Sequence, residues 1–331
     1  MLIPVRNEEK NLDLLLNDLS NQYVLGLDFD VIVIDDDSND ESKAIVLRRI
    51  DELPFNCQLL DLKAIGKTGK KAALTYGVAH AKGDVILTTD GDCSVGKHWI
   101  QSFAEAFLDP AVCLVSGPVM MKAQNWFQSM QALEFSGLIG IGAATLKSGN
   151  PTMCNGANLA YRKSDFLSVK GYEGNEHIAS GDDEFLLQKI YKKKPEGIIF
   201  LKNSDSIVKT PAKENFKELI NQRIRWSSKW RFHQSIFIKL GAVLIFLNYV
   251  GIYTAIILAL WDYKYVSITI FMILIRWIIL TLFLSNTAGF LNIPVSPIKT
   301  FLLEIIYPAL VLFLGIASIF GRYTWKGRNY Q

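Results

Sequence analysis

Residues 85–92 read Val85-Ile86-Leu87-Thr88-Thr89-Asp90-Gly91-Asp92, an apolar and β-branched run that stops in two carboxylates separated by one glycine. A run of this kind reads as a buried strand. Alternate residues at a strand end project to the same side, so Asp90 and Asp92 can share a hard divalent cation, which can in turn hold a diphosphate. Asp and Gly are also ordinary turn formers after a strand, and Asp-x-Asp alone does not separate the two readings. Its surroundings decide between them.

Upstream and downstream the pattern repeats. Phe29 to Ile34, Gln58 to Leu62 and Val112 to Ser116 are further short apolar runs, as expected of strands covered on both faces. Between them, Leu12, Leu15, Leu16 and Leu19 keep the spacing of a helix stripe, and Ala72 to Ala81 is rich in helix formers after Gly69. Such alternation predicts an α/β sandwich with a mainly parallel sheet, whose ligands sit at the carboxyl ends of the strands.

Charged features fall at those ends. Asp35, Asp36, Asp37 and Ser38 follow the run ending at Ile34. They read either as a solvated turn with a helix cap or as carboxylates that accept hydrogen bonds from a base edge and ribose hydroxyls, the uracil N3–H being a suitable donor. Gly66-Lys67-Thr68-Gly69-Lys70-Lys71 precedes a helix but lacks the glycine spacing of a P-loop, which excludes a nucleoside triphosphatase of that class. A basic, glycine-bearing turn at a helix N-terminus still suits a phosphate.

The 331 residues divide by composition. Charged and apolar residues mix up to about residue 235, after which charges nearly vanish. Segments 240–260, 265–284 and 301–320 are each long enough to cross a bilayer core as a helix, which takes about 20 apolar residues. Arg276, Glu304 and Pro308 interrupt the second and third. A mid-bilayer charge costs about 2.5–3.5 kcal/mol, so Arg276 should face protein, a water-filled pocket or a lipid phosphate. With residues before 235 cytosolic and three spans, Arg322, Lys326 and Arg328 would lie outside, against the positive-inside tendency, which leaves open that one segment re-enters or lies along the interface. Lys213 to His233 reads as a basic amphipathic helix with Phe216, Leu219, Ile220 and Ile224 on one side. Cys57, Cys93, Cys113 and Cys154 and the four histidines (His80, His98, His177, His233) show no metal-ligand spacing and are assigned no chemistry. A net charge of +3 is too small to argue for nucleic acid.

The order of motifs resembles the family-two inverting glycosyltransferases with the GT-A fold. Pro4-Val-Arg-Asn-Glu8, Val31-Ile-Val-Ile-Asp-Asp-Asp-Ser38, Gly69-Lys-Lys-Ala-Ala-Leu74 and Thr89-Asp-Gly-Asp92 carry it, followed by Asn155-Gly-Ala-Asn-Leu-Ala-Tyr-Arg162 and Ser180-Gly-Asp-Asp-Glu-Phe-Leu-Leu187. Gln222-Arg-Ile-Arg-Trp226 matches Gln-x-x-Arg-Trp, a signature of membrane-embedded members.

The resemblance over residues 1 to about 230, with the composition of the rest, divides the chain into a catalytic GT-A domain (1–212), an interfacial helix (213–235) and a transmembrane region (236–331). It also implies roles. Pro4, Arg6 and Glu8 would surround the nucleobase, with Asp36 and Asp35 at uracil or ribose and Lys67 near the diphosphate. Asp90 and Asp92 would hold Mg2+ or Mn2+ against the phosphates, and Asp183 would be the general base. Gln222, Arg225 and Trp226 would serve the diphosphate and the acceptor. Two departures stand out: Asp37 replaces a usual Gly, and Gly181-Asp182 replace Thr-Glu. Only three residues precede Pro4, whereas the fold's first strand is usually longer, so a truncated start is expected.

The expected activity is transfer of a hexosyl unit from a nucleotide-diphosphate sugar, UDP-linked, to a lipid or growing glycan. The site would lie on the cytosolic face of an inner or plasma membrane. Transfer to polyprenyl phosphate, processive polysaccharide synthesis and a non-catalytic nucleotide-sugar-binding scaffold are the alternatives. Protein partners are not legible.

Overall fold

The structure is a computed structural model that describes the chain apart from residues 177, 179, 233–234, 321–322, 327 and 331. His177, His233 and Arg322 therefore lie outside the described residues. The first stretch alternates: β1 (Leu2–Val5), α1 (Leu12–Ser20), β2 (Asp30–Asp35), α2 (Ser42–Arg49), β3 (Asn56–Asp61), α3 (Lys70–His80), β4 (Val85–Thr88) and α4 (Trp99–Ala106). There follow β5 (Leu114–Ser116), β6 (Val119–Lys122), α5 (Trp126–Lys147), β7 (Leu159–Arg162), α6 (Lys163–Ser168), α7 (Asp182–Lys193), β8 (Ile198–Phe200) and β9 (Val208–Pro211). Helices α8 (Phe216–Ser228), α9 (Ile236–Trp261), α10 (Val266–Phe290) and α11 (Pro297–Phe320) come after them.

Two compact units result: Met1–Lys122 with Leu138–Pro211, and Ala123–Gly137 with Ala212–Gln331. The first is built on a seven-stranded sheet of order β3-β2-β1-β4-β7-β5-β8. It is mainly parallel, and β7 alone runs against its neighbours β4 and β5. A short parallel pair, β6 with β9, stands beside it.

The sheet is covered as its apolar runs predict. Leu12, Leu15, Leu16 and Leu19 are all buried on α1, each burial favouring the fold by about 1.5–3 kcal/mol. Helix α3 approaches β1 and β2 closely because Gly77 has no side chain: a Cβ there would come within 2.9 Å of Leu2 and 3.0 Å of Ile34. Pro4 is tolerated inside the sheet because β4 pairs with β1 only at Leu2, so the missing N–H falls beyond that ladder.

Strand ends shift by a residue or two from the sequence reading. Phe29 and Leu62 fall outside the strands, and Val112 and Cys113 precede β5. The strand that opened the sequence reading ends at Thr88, before either carboxylate.

In the second unit, α9, α10 and α11 supply three segments long and apolar enough to cross a membrane: Ile238–Trp261, Tyr263–Phe290 and Pro297–Ala317. Their surfaces suit lipid rather than a protein core. Ile257 is 64 % exposed, Leu260 83 % and Ile279 61 %. Arg276 finds protein partners, donating to Glu304 and to Asn248, which is how a charge inside a span is made tolerable.

Candidate active site

The site residues of the first unit gather at and beyond the carboxyl ends of β1, β2 and β4. After β1 the chain turns through Asn7, at φ +53°, and its amide groups are held by the loop after β2. Asn7 N donates to Ser38 Oγ at 3.0 Å, and Glu8 N to Ser42 Oγ at 2.7 Å. Arg6 is buried and donates to the carbonyl oxygens of Asp36 and Asp37, the latter at 2.7 Å. It thus splints the aspartate loop.

The three aspartates have separate surroundings. Asp35 is fully buried, accepts from Ser38 N at 3.1 Å and faces Lys43 Nζ at 3.3 Å. Asp36 Oδ1 accepts from Gly69 N at 2.9 Å and Thr68 Oγ1 at 3.0 Å, which anchors the basic turn. Asp37 takes φ +59°, a conformation that glycine adopts freely and Asp tolerates. That explains why Asp can stand where the resemblance implies Gly, and here its carboxylate also meets Lys63 Nζ at 2.7 Å.

Strand pleating does not orient Asp90 and Asp92, because β4 ends at Thr88. Both lie in the turn after β4, where Cys93 N donates to Asp90 O at 3.1 Å, so strand alternation does not set their directions. Gly91 permits this turn to pack: a Cβ would come within 3.0 Å of both Glu8 Cγ and Val5 Cγ1. Glu8 is buried against this turn. Asp92 is partly buried, and its Oδ1 lies 3.7 Å from Cys93 Sγ.

Lys70, not Lys67, reaches the carboxylates. Lys67 is exposed. Lys70 opens α3 after Gly69, whose φ of +95° requires a glycine-like backbone. Its Nζ lies 2.6 Å from Asp90 Oδ1 and 3.4 Å from Asp182 Oδ2, with the side chain 17 % exposed. Burial works to lower its pKa, but Asp182, Asp90 and Asp183 together outweigh burial and hold it well above the ordinary lysine value. Lys70 therefore stays charged at any physiological pH. The neighbouring Lys71 points elsewhere, donating to the carbonyls of Asn175 and Ile178 at 2.7 and 2.8 Å.

The opposite wall is the first turn of α7. Gly181 precedes it at φ +78°, a left-handed residue where Gly is at ease and Thr would be strained. Asp182, Asp183 and Glu184 all sit in that turn, where the helix dipole favours negative charge. Asp183 is oriented from two sides, its Oδ2 accepting from Gly156 N at 2.9 Å and its Oδ1 from Glu184 N at 2.8 Å. Gly156 leaves room for the group: a Cβ would come within 3.0 Å of Asp182 Oδ2 and 3.3 Å of Lys70 Nζ.

The Asn155–Arg162 segment backs this wall. Asn158 is fully buried, donates to the carbonyls of Pro118 and Ser206 at 2.7 and 2.8 Å, and accepts from Trp99 Nε1 at 2.9 Å. Thr88 Oγ1, at the end of β4, donates to Gly156 O at 2.9 Å. Asp90, Lys70, Asp182, Asp183 and Gly156 thus form one cluster. Lys70 and Asp182 are members of this cluster that the motif order does not single out as site residues.

Gln222, Arg225 and Trp226 lie on α8 of the second unit. Asn215 caps that helix, its Oδ1 accepting from Glu218 N at 3.0 Å while its Nδ2 donates to Glu218 Oε1 at 2.7 Å. Trp226 meets Phe135 at a ring separation of 5.8 Å.

The donor set can be tested for a metal. Among the described residues no group of three or more His, Cys, Asp or Glu side chains is placed to hold an ion. Asp90 and Asp92 offer two hard oxygen ligands, and Mg2+ is commonly held by one or two carboxylates with substrate phosphates and water completing the shell. The pair fits an ion that arrives with a diphosphate.

Residues 1–169 match the family described as Glycosyl transferase family 2. Glycosyltransferase AglE of Haloferax volcanii is 29% identical over 125 residues, 38% of this chain and 40% of that protein. The 4,4'-diaponeurosporenoate glycosyltransferase of Staphylococcus haemolyticus is 27% identical over 201 residues, 58% of this chain and 51% of that protein. The chain thus spans about half or less of the length of these two relatives. In fold it is similar to the mannosyltransferase PcManGT from Pyrobaculum calidifontis, solved with GDP-Man and Mn2+. That likeness has a TM-score of 0.56 at 16% identity and covers 96% of this chain and 85% of that one.

Proposed function

The chain belongs to glycosyl transferase family 2, and on that premise we propose a membrane-bound hexosyltransferase that works with inversion on a nucleotide-diphosphate sugar, UDP-linked, and a lipid or growing glycan. The observation that carries the reading is the cluster in which Lys70 Nζ stands 2.6 Å from Asp90 and 3.4 Å from Asp182 while Gly156 N orients Asp183. It sets a cation and the Asp90 carboxylate against an oriented carboxylate in one small volume.

Inverting transfer needs a base on the acceptor side and charge stabilisation on the leaving-group side. In this reading Asp183 takes the proton of the attacking acceptor hydroxyl as that oxygen displaces the diphosphate at the anomeric carbon. Its two N–H bonds keep the receiving oxygens in place. Lys70 offers a fixed positive charge to the departing diphosphate. Asp90 and Asp92 would hold Mg2+ or Mn2+, which when bound offsets charge on the phosphates. Pro4, Arg6, Glu8, Asp35 and Asp36 would build the wall for the nucleoside, with Asp36 acting through the basic turn it anchors, and the exposed Lys67 would serve the phosphates. The Mn2+ and GDP-Man in the structure of the P. calidifontis relative support a divalent cation and a nucleotide sugar in this fold.

The second unit supplies the membrane. Its three apolar helices would hold the catalytic unit at the cytosolic face of an inner or plasma membrane. Gln222, Arg225 and Trp226 on α8 would serve the diphosphate and the incoming acceptor. The test is product analysis: the purified chain in lipid nanodiscs, supplied with UDP- and GDP-sugars and extracted lipids, and read by mass spectrometry. A lipid or glycan heavier by hexose is expected. Donor binding without product from any combination would instead mark a binding scaffold.

A further inference from the structure

The second unit contains a line of polar side chains outside the Gln-x-x-Arg-Trp positions. Arg223 is 5 % exposed and pairs through Nη2 with Glu134 of α5. Its guanidinium lies over the Trp226 ring, 4.4 Å from the centroid. Among the described residues Nε and Nη1 of Arg223 find no hydrogen-bond acceptor, and the carboxylate and the indole face hold this group. Arg223 and Trp226 are three residues apart and share one face of α8. Phe135, next to Glu134, packs against Trp226 at 5.8 Å with the rings tilted by 35°.

The line continues into the apolar helices. The Tyr307 hydroxyl of α11 faces the Glu134 carboxylate, and its ring meets Tyr249 of α9 edge-on at 6.2 Å. Arg276 of α10 lies 5.4 Å over Tyr249 and donates to Glu304 and Asn248. A buried pair of charges rarely adds net stability over apolar residues of similar volume, so stability alone does not account for Glu134 and Arg223.

We propose that Arg223 and Glu134 are positioning residues that fix the Trp226 indole for the acceptor, and that Tyr307 ties this setting to the membrane-spanning helices. The proposal rests on the reading of Trp226 as an acceptor contact. Arg223 presents a flat cation to the indole, which a lysine cannot reproduce. The side of α8 that carries Trp226 is thereby coupled to groups within the span.

The test uses the full chain in nanodiscs, labelled with 5-fluorotryptophan and read by fluorine NMR, the Trp226 resonance being assigned from Trp226→Phe. Two variants are compared with the parent. Arg223→Lys keeps the ion pair but loses the stacked plane, and Glu134→Leu with Arg223→Met replaces the pair by apolar volume. Both should retain the parent's melting temperature to within a few degrees. Each should displace the Trp226 resonance and raise KM for the acceptor by about thirtyfold, the size of one desolvated cation–π contact, with KM for the donor unchanged. An unmoved resonance, or equal rises in both KM values, would overturn the proposal. An unaltered acceptor KM in Trp226→Phe would reject the acceptor role of Trp226 instead, and the resonance would then decide the positioning claim by itself.

Discussion

Replacing Gly156 by Ala places one methyl group at the centre of the cluster. Its Cβ would lie 3.0 Å from Asp182 Oδ2, 3.3 Å from Lys70 Nζ and 3.5 Å from Asp183 Cβ. The first two distances are too short by a few tenths of an ångström, and the third is ordinary contact. Both crowded atoms end side chains, so they can rotate away without moving the backbone. Overpacking typically costs about 1–3 kcal/mol, and a site that yields by side-chain rotation belongs at the lower end. A loss near 1 kcal/mol corresponds to a fall of roughly 3 °C in melting temperature for a unit of this size. The effect on transfer should be larger. A misplacement of about 1 Å can cost 10²-fold, so a shift of about half that in Lys70 and Asp182 predicts a loss of about tenfold in kcat. Gly83→Ala is the control, since its Cβ would meet only Val85 O, at 3.8 Å. Differential scanning fluorimetry and a radiolabelled-sugar transfer assay read the two quantities. Full transfer in Gly156→Ala would refute the packing argument. A stability loss above about 3 kcal/mol would show that backbone rather than side chains must yield.

Three other outcomes follow from the same geometry. Lys70→Met leaves Asp90 and Asp182 without their shared cation, so Mg2+ should raise the melting temperature of the variant by more than that of the parent; equal shifts would contradict this. Asp37→Val forces a β-branched residue to φ +59° and should destabilise by about 1–2 kcal/mol in urea unfolding, whereas Asp37→Gly should be close to neutral. Burial pushes the Cys57 and Cys113 thiols up to about 11 from 9.0. The unfolded chain therefore releases these protons first, and the stability they contribute is full below pH 9 and falls as pH rises towards 11. Mass mapping after iodoacetamide treatment at pH 8 should accordingly find both thiols protected until the chain is unfolded.

Much of this was legible in residue order because it depends on local periodicity. The Leu12, Leu15, Leu16, Leu19 stripe and the apolar strands declare themselves through spacing alone, and the long apolar runs after residue 235 do so through length. Arg276 showed that a span needed a partner, but Glu304 and Asn248 are both 28 residues away, and only packing of the helices identifies them. Strand β7 was harder to see. Leu159-Ala-Tyr-Arg162 is four residues long, and its place between β4 and β5 follows from a reversal of direction that no local pattern encodes. The part played by Lys70 follows from the helix start. Gly69 ends the turn, so Lys67 is left on the outside while Lys70 projects from the first turn of α3 towards Asp90. Asp90 and Asp92 were picked out by type, yet their directions follow from a turn that Gly91 allows against Glu8, not from the strand before it.

The most direct test of the central claim, an acceptor-side carboxylate opposite a diphosphate site, is Asp183→Asn in nanodiscs. Donor binding by calorimetry and sugar transfer by mass spectrometry are measured on the same preparation. The amide keeps an acceptor oxygen for Gly156 N but cannot take a proton. Donor affinity should stay within about twofold of the parent while transfer falls by about 10²–10⁴, the usual contribution of a general base. Transfer at the parent rate in this variant would contradict the account.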